Sequence, residues 1–546
     1  MGAYALSAEQ REALLGPGGP YELVVEPVCG HAMEVFAQRP SNLRAHFDAV
    51  TATNGSATFL VSGEERWTFE AATRRIDAVA ALLVDRYGIE AGDRVAIVSA
   101  NSPAYAITMW ATVSIGAVVT SLNGWWAGAE LAYGIELTAP KLLVGDAARL
   151  ERVPAGAVPG TVPVLTLDEL LAEAVDGTVG PRPEVREDDP AVILFTSGTT
   201  GRPKGATLSH RNVVHLATTA KLGQAIGAAL SSSAPGPKVL PASILSSPMF
   251  HISGMAAVLA SGPTMGTKLV FPPPGQWDPR RHLELTVEHG ITGWSGVPTQ
   301  YFRILHHPDF ASFDLHRLRS ATSGGAPFPP ELVHEFSEKL PRVMLANGYG
   351  MTETTGLGTL NAGPGIVAMP DSVGPASAGM VVETRDAMGE LVAEGEVGEI
   401  HLRAPSVFLG YWQDPAASAA ALGADGWYRT GDYGRIVNGF VHLESRMRDL
   451  ILRGGENIYP IEIENRLVEH PSIEDAAVIG VDHPELGQEV KAFVVATVGT
   501  ELSTGEVQAW VADGLARFKV PAHVEFVDEL PYNESGKVVK SRLEGR

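Results

Sequence analysis

The sequence predicts an α/β protein with a separate small α+β unit at its C-terminal end. Three observations carry this. From Trp67 onward, short apolar runs alternate with segments of helical periodicity, as βα repeats on a parallel sheet do. The stretch from Val95 to Ala129 holds no charged residue, as expected for elements buried on both sides. Near Gly439 the pattern changes to short alternating strands and two short helices.

The elements follow in order. Residues 1 to about 45 form a weakly patterned lead-in. Ala71–Val84 is amphipathic at helical spacing, with Ile76, Val79, Ala80 and Leu83 on one face. The uncharged stretch reads as strand Val95–Ser99, helix Tyr105–Ile115 and strand Val118–Leu122. Asn101, Pro103, Gly116 and Asn123 interrupt it, so it is a buried βαβ unit and not a membrane span. Val144 and Val164 sit in further apolar runs. Asp176–Pro190 is a Pro/Gly/acid-rich loop that leads into a buried strand, Ala191–Phe195. Ser231–Lys238 and Ala362–Pro375 are expected loops. Beyond Gly439, Phe440–Leu443, Asp449–Leu452, Ala476–Val481 and Val490–Val498 read as strands. Glu462–Glu469 and Glu506–Ala516 read as helices. Residues 1–446 are thus expected to form one domain and residues 447–546 a second of about 100 residues.

The 546 residues correspond to roughly three to four domain-sized units. With 45% hydrophobic and 19% charged residues, the composition is that of a soluble globular chain. A net charge of −22 argues against binding nucleic acid or an anionic membrane surface. The single cysteine, Cys29, allows no intrachain disulfide and fits a reducing compartment. It reads as a packing residue or a bystander. Met1–Gly16 carries charges and no apolar core, so no secretory signal is expected and the setting is cytoplasmic.

The chemistry begins at Thr196-Ser197-Gly198-Thr199-Thr200-Gly201-Arg202-Pro203-Lys204-Gly205. Glycines let backbone N–H groups turn toward an anion, hydroxyls donate further hydrogen bonds, and a lysine adds charge. This is a polyphosphate cradle, although the Walker A spacing is absent. Further clusters follow in fixed order: Pro248–Gly254 with His251, Ser323-Gly324-Gly325-Ala326-Pro327, Asn347-Gly348-Tyr349-Gly350-Met351-Thr352-Glu353, Arg429-Thr430-Gly431-Asp432, Arg446-Met447-Arg448-Asp449, Gly454-Gly455-Glu456-Asn457, and Ser535-Gly536-Lys537. Each alone has a bland reading as a turn, a core aromatic or a solvated charge.

In this order the clusters resemble the adenylate-forming superfamily of acyl-CoA synthetases, non-ribosomal adenylation domains and luciferases. The resemblance runs from about residue 45 to the end. It implies a large N-terminal domain of sheets wrapped by helices, a mobile C-terminal domain, and ATP, Mg²⁺ and coenzyme A as reactants or cofactors. Thr196–Thr200 and Lys204 would hold the β- and γ-phosphates. Glu353, helped by Thr199 or Thr200, would bind the metal. Asn347, Gly348, Tyr349 and Gly324–Pro327 would frame the nucleotide, with the adenine on Tyr349, and Thr352 would be among the catalytic residues. Asp432 would take the ribose, and Arg446 the ribose or the phosphate edge. Lys537 would bridge the attacking carboxylate and the α-phosphate. After adenylation the small domain would turn at Arg448, where many relatives have Asp or Lys. That turn brings Gly454 and Gly455 to a channel for pantetheine.

The acid would lie near His251, in a pocket of Ile252, Ser253, Gly254, Val297, Ser323, Gly350 and Met351. No aspartate stands in Pro248–Gly254 to hold an α-amine, so amino acids are disfavoured. The expected activity is an AMP-forming acyl-CoA ligase for a medium- or long-chain fatty acid. An aryl-acid CoA ligase, a fatty-acyl-AMP ligase loading a carrier protein, and a non-catalytic nucleotide-binding protein are the alternatives. The expected partners are the small-molecule acid, ATP and CoA, with no nucleic acid and no integral membrane segment; a homodimer is compatible with this set.

Overall fold

In the computed structural model the chain forms a large domain built on three sheets and a small domain on a fourth. The described residues are 6–175, 183–197, 202–230, 240–324, 330–386, 388–446, 451–458, 460–497, 499–531 and 540–543. The expected loop at Ser231–Lys238 and the first part of that at Asp176–Pro190 lie outside them.

The first sheet has seven strands. Its centre is parallel: Val118–Ser121, Arg94–Val98, Leu142–Gly145 and Val164–Thr166. Pro190–Ser197 joins the parallel set beside Val118–Ser121. Pro203–Ser209 pairs antiparallel with it, so the described ends of the expected phosphate loop lie on two paired strands. Lys204 is therefore on a strand, directly opposite Thr196. Gly205 is in that strand because a Cβ there would come within 2.9 Å of Ile193.

The second sheet has eight strands, centred on the parallel run Ala242–Ile244, Gly293–Gly296, Ser320–Gly324 and Met344–Tyr349. The helix Pro103–Ser114 packs in the main core, and each of its residues but Ala104 is buried. Its Trp110 rests on Phe47, with ring centroids 4.4 Å apart, and donates to the Val258 carbonyl. The uncharged stretch is accordingly interior βαβ. Among the described residues no helix is long and apolar enough to cross a membrane.

The third sheet is antiparallel: Val381–Arg385, Gly398–Arg403, Tyr428–Val437 and Phe440–Arg446. The change of pattern near Gly439 is thus the turn of a hairpin within the large domain. The small domain's sheet is drawn from residues after 446: Ile451–Arg453, Glu456–Ile458, Ile473–His483, Gly487–Ala496 and His523–Phe526. The helices Pro460–Val468 and Thr504–Gly514 cover it through Ile463, Leu467, Val507 and Val511.

Three expectations need correction. The lead-in is structured: helix Ala8–Leu15, with a reciprocal Ser7/Gln10 cap, precedes a hairpin of Leu23–Val28 and His31–Phe36. Of the two readings of Cys29, packing falls and bystander stands: it is exposed on that hairpin's turn with φ +48°. The expected loop Ala362–Pro375 contains a short helix, Pro364–Ala368, started by its proline.

Candidate active site

The ends of the first two sheets bring the sequence clusters together around Glu353. The short 3₁₀ turn Thr352–Thr354 follows strand Met344–Tyr349 and buries the Glu353 side chain. The Tyr411 hydroxyl donates to Glu353 Oε1 at 2.9 Å. The Lys204 ammonium lies 5.0 Å from the centre of the Tyr411 ring. Burial pushes the Glu353 carboxyl above its ordinary range, and its own backbone N–H, Tyr411, Thr196 and Lys204 oppose that rise. A buried carboxylate ringed by donors and one lysine is suited to a cation and phosphates. Among the described residues there is no cluster of three His, Cys, Asp or Glu that would cage a metal by itself.

A second group lies on the neighbouring strands. Tyr349 is buried and its hydroxyl donates to Asp432 Oδ2 at 2.8 Å. Arg446 is directly opposite Asp432 across the antiparallel pair Tyr428–Val437 and Phe440–Arg446. Ser323 and Asn347 face one another in register on parallel strands. Both are buried, and among the described residues Ser323 Oγ and Asn347 Oδ1 have no hydrogen-bond partner. Orphaned buried polar atoms of this kind are costly unless a ligand satisfies them.

A cavity of about 2260 Å³ runs past these strands. Thr196, Gly324, Gly348, Thr352 and Glu353 line one part of it. Trp125, His251, Phe518 and the turn Gly454-Gly455 line another. Both turn glycines have positive φ, +58° and +89°, and a Cβ on Gly455 would fall 2.7 Å from Val297 Cγ1. The turn thus reaches the large domain because it has no side chains. His251 precedes helix Ile252–Leu259, and its Nε2 lies 3.6 Å from Glu456 Oε2. Burial pushes the Glu456 carboxyl up, while His251 and Lys519 act to lower it. The cavity also reaches the long helix His210–Leu230, where Leu216, Ala220, Gly223, Gly227 and Leu230, with the polar Thr219 and Gln224, form its wall. Cβ atoms added to Gly223 or Gly227 would meet open space.

Of the expected acid-pocket residues, Ile252, Ser253, Val297, Ser323, Gly350 and Met351 line the cavity. Gly254 does not: a Cβ there would collide with the Pro248 carbonyl at 2.1 Å, so it is a packing glycine. Val297 faces the Gly455 turn. Gly198, Thr199, Thr200, Gly325, Ala326, Pro327, Arg448 and Lys537 lie outside the described residues, and Ser197 and Arg446 are described by backbone only. Sequence reasoning missed Tyr411, Trp125, Glu130, Glu462, Phe518 and Lys519. Glu456 stood in a quoted cluster without a role.

Residues 47–412 match the family model described as AMP-binding enzyme, and residues 462–537 match AMP-binding enzyme C-terminal domain. The feruloyl-CoA synthase of an Amycolatopsis species is 34% identical over 513 residues, covering 90% of this chain and 96% of that protein. A mitochondrial medium-chain acyl-CoA ligase of Bos taurus is 31% identical over 522 residues, covering 88% and 82%. A double mutant of the Bacillus subtilis o-succinylbenzoate CoA synthetase, bound with its product analogue OSB-NCoA, superposes with a TM-score of 0.81 at 25% identity, covering 93% of this chain and 99% of that one. The same enzyme in complex with its acyl-adenylate intermediate gives 0.65 at 25% identity, covering 93% and 98%.

Proposed function

The chain belongs to the AMP-binding enzyme family, and on that premise we propose that it joins a medium- or long-chain fatty acid to CoA by way of an acyl-adenylate. One observation carries this reading. A single cavity connects the Glu353 group, the Gly454-Gly455 turn and the wall on helix His210–Leu230. The nucleotide and the thiol must each reach the same carboxyl group, in turn, and this one cavity touches a place for each.

A carboxylate is a poor acyl donor because its oxygen leaves badly. In the first step a carboxylate oxygen attacks the α-phosphorus of ATP and pyrophosphate departs. In the second the CoA sulfur attacks the acyl carbon, AMP departs and the thiol proton is lost. The first step brings two anions together, so donors must be aimed in advance at the phosphates. Thr196 and Lys204, opposite one another on the paired strands, grip the departing pyrophosphate. Tyr349 and Asp432 hold the nucleoside, and the orphaned Asn347 and Ser323 atoms gain partners from it. Glu353 fits Mg²⁺, which binds through one or two carboxylates plus substrate phosphates and supplies charge neutralisation there. Lys537, from the sequence cluster Ser535-Gly536-Lys537, completes the α-phosphate contacts.

Asp432→Ala removes the nucleoside's charged acceptor and leaves the buried Tyr349 hydroxyl without this partner. KM for ATP is expected to rise about 10- to 100-fold, the cost of a lost charged hydrogen bond. Initial rates against ATP concentration check it.

The wall from Leu216 to Leu230 is about 21 Å long at helical rise, and its Leu, Ala and Gly residues alternate with Thr219 and Gln224. Each buried CH₂ contributes about 0.8 kcal/mol, so an alkyl tail gains from the Leu216, Ala220 and Leu230 side of that wall. The similarity to a feruloyl-CoA synthase favours a second reading, an aryl acid. ATP–pyrophosphate exchange with decanoate, palmitate, ferulate and an amino acid separates the two, and addition of CoA separates CoA from carrier-protein transfer. Exchange with ferulate alone would replace the alkyl reading, and exchange with none would overturn the ligase itself. The lone, unbridged cysteine supports a reducing, cytoplasmic setting for this reaction.

A further inference from the structure

Lys519 joins the two domains through a buried charge cluster that the reaction itself does not use. Its ammonium donates to Glu462 Oε1 at 2.7 Å and to Glu130 Oε1 at 3.1 Å. The side chains of Lys519, Glu462 and Glu130 are only 3%, 3% and 6% exposed. Lys519 and Glu462 belong to the small domain, on the 3₁₀ turn Arg517–Lys519 and the first turn of helix Pro460–Val468. Glu130 belongs to the large domain and caps helix Gly128–Thr138 by accepting from the Ala127 N–H. One ammonium thus serves two carboxylates, and among the described residues Glu462 Oε2 has no hydrogen-bond partner.

We propose that Lys519 is a positioning residue for the second half-reaction, holding the small domain where the Gly454-Gly455 turn faces the cavity. This rests on the reading of the chain as a two-step CoA ligase. Two observations support it. Next to Lys519, Phe518 packs edge-on against Trp125 of the large domain, with ring centroids 5.8 Å apart, beside the same cavity. The whole chain also superposes better on the CoA-analogue complex of the B. subtilis enzyme, with a TM-score of 0.81, than on its adenylate complex, with 0.65. Without the lysine, two carboxylates would face each other out of water, a costly state that exists only while the domains are so docked. Once the small domain turns away, Glu130 meets solvent and the cost disappears. Losing Lys519 therefore shifts the population away from the docked arrangement and leaves the other one untouched.

The test uses Lys519→Met and Lys519→Met/Glu130→Gln in the full-length chain. The glutamine of the double variant keeps the helix cap, because Gln serves at that position as Glu does. Adenylation is read by ATP–pyrophosphate exchange. Thioesterification is read in single turnover from supplied acyl-adenylate and CoA. Lys519→Met is expected to slow thioesterification about 100-fold while exchange stays within about threefold, and the double variant to recover about tenfold. Should Lys519→Met reduce the yield of folded protein, Glu130→Ala carries the same test, with an expected loss of about tenfold in the second step alone. Parallel loss of both half-reactions, loss of neither, or no recovery in the double variant would overturn the proposal. Wild-type protein that forms no thioester would instead overturn the ligase reading, so the two failures are distinct.

Discussion

Gly455→Leu is expected to leave acyl-adenylate formation within about threefold and to lower thioester formation by about 100-fold or more. The two reasons are independent. Gly455 sits at φ +89°, where an L side chain costs roughly 1–2 kcal/mol. Any Cβ there also meets Val297 Cγ1 at 2.7 Å, and overpacking of this kind typically costs about 1–3 kcal/mol more. Both penalties fall on the arrangement that brings the turn to the cavity. Pyrophosphate exchange and single-turnover thioesterification measure the two halves separately. Val297→Ala in the same chain relieves the clash without relieving the backbone strain, so it restores only part of the rate. Normal thioesterification in Gly455→Leu would rule out the turn as the wall of the thiol channel.

Lys537→Ala is expected to fail in the opposite half. Removing a charge-stabilising donor from a developing anion costs about 2.7–4 kcal/mol, so exchange falls by about 100- to 1000-fold. Thioester formation from supplied adenylate is expected to stay within about threefold. An equal loss in both assays would show that Lys537 supports the fold or both steps, and the division of labour between Lys537 and Gly455 would fall.

How much of this was legible depends on where each signal lies. Thr196, Lys204, Glu353, Tyr349, Asp432, Gly454 and Gly455 all stood out because their clusters are local, with unusual residue types at short spacing. The same local signals hid the geometry between clusters. Nothing near Lys204 says that it lies across from Thr196 on an antiparallel strand. Nothing in Gly410-Tyr411 says that the phenol reaches Glu353. Gly254 reads like a pocket glycine, and only its contact with the Pro248 carbonyl identifies it as packing. The Glu130–Lys519 pair is separated by 389 residues and leaves no periodic trace. The lead-in was missed for a different reason. Helix Ala8–Leu15 has no buried residue, so its apolar pattern is weak and only its Ser7 cap marks it.

Cys29 has a practical consequence. It is the chain's only thiol, and it stands exposed on the hairpin between Val28 and His31. A fluorophore attached there by maleimide needs no background substitutions. One engineered cysteine on the outer face of helix Thr504–Gly514 would supply the second dye. Energy transfer between the two would report whether the small domain turns during catalysis, with any second arrangement read as its own transfer efficiency.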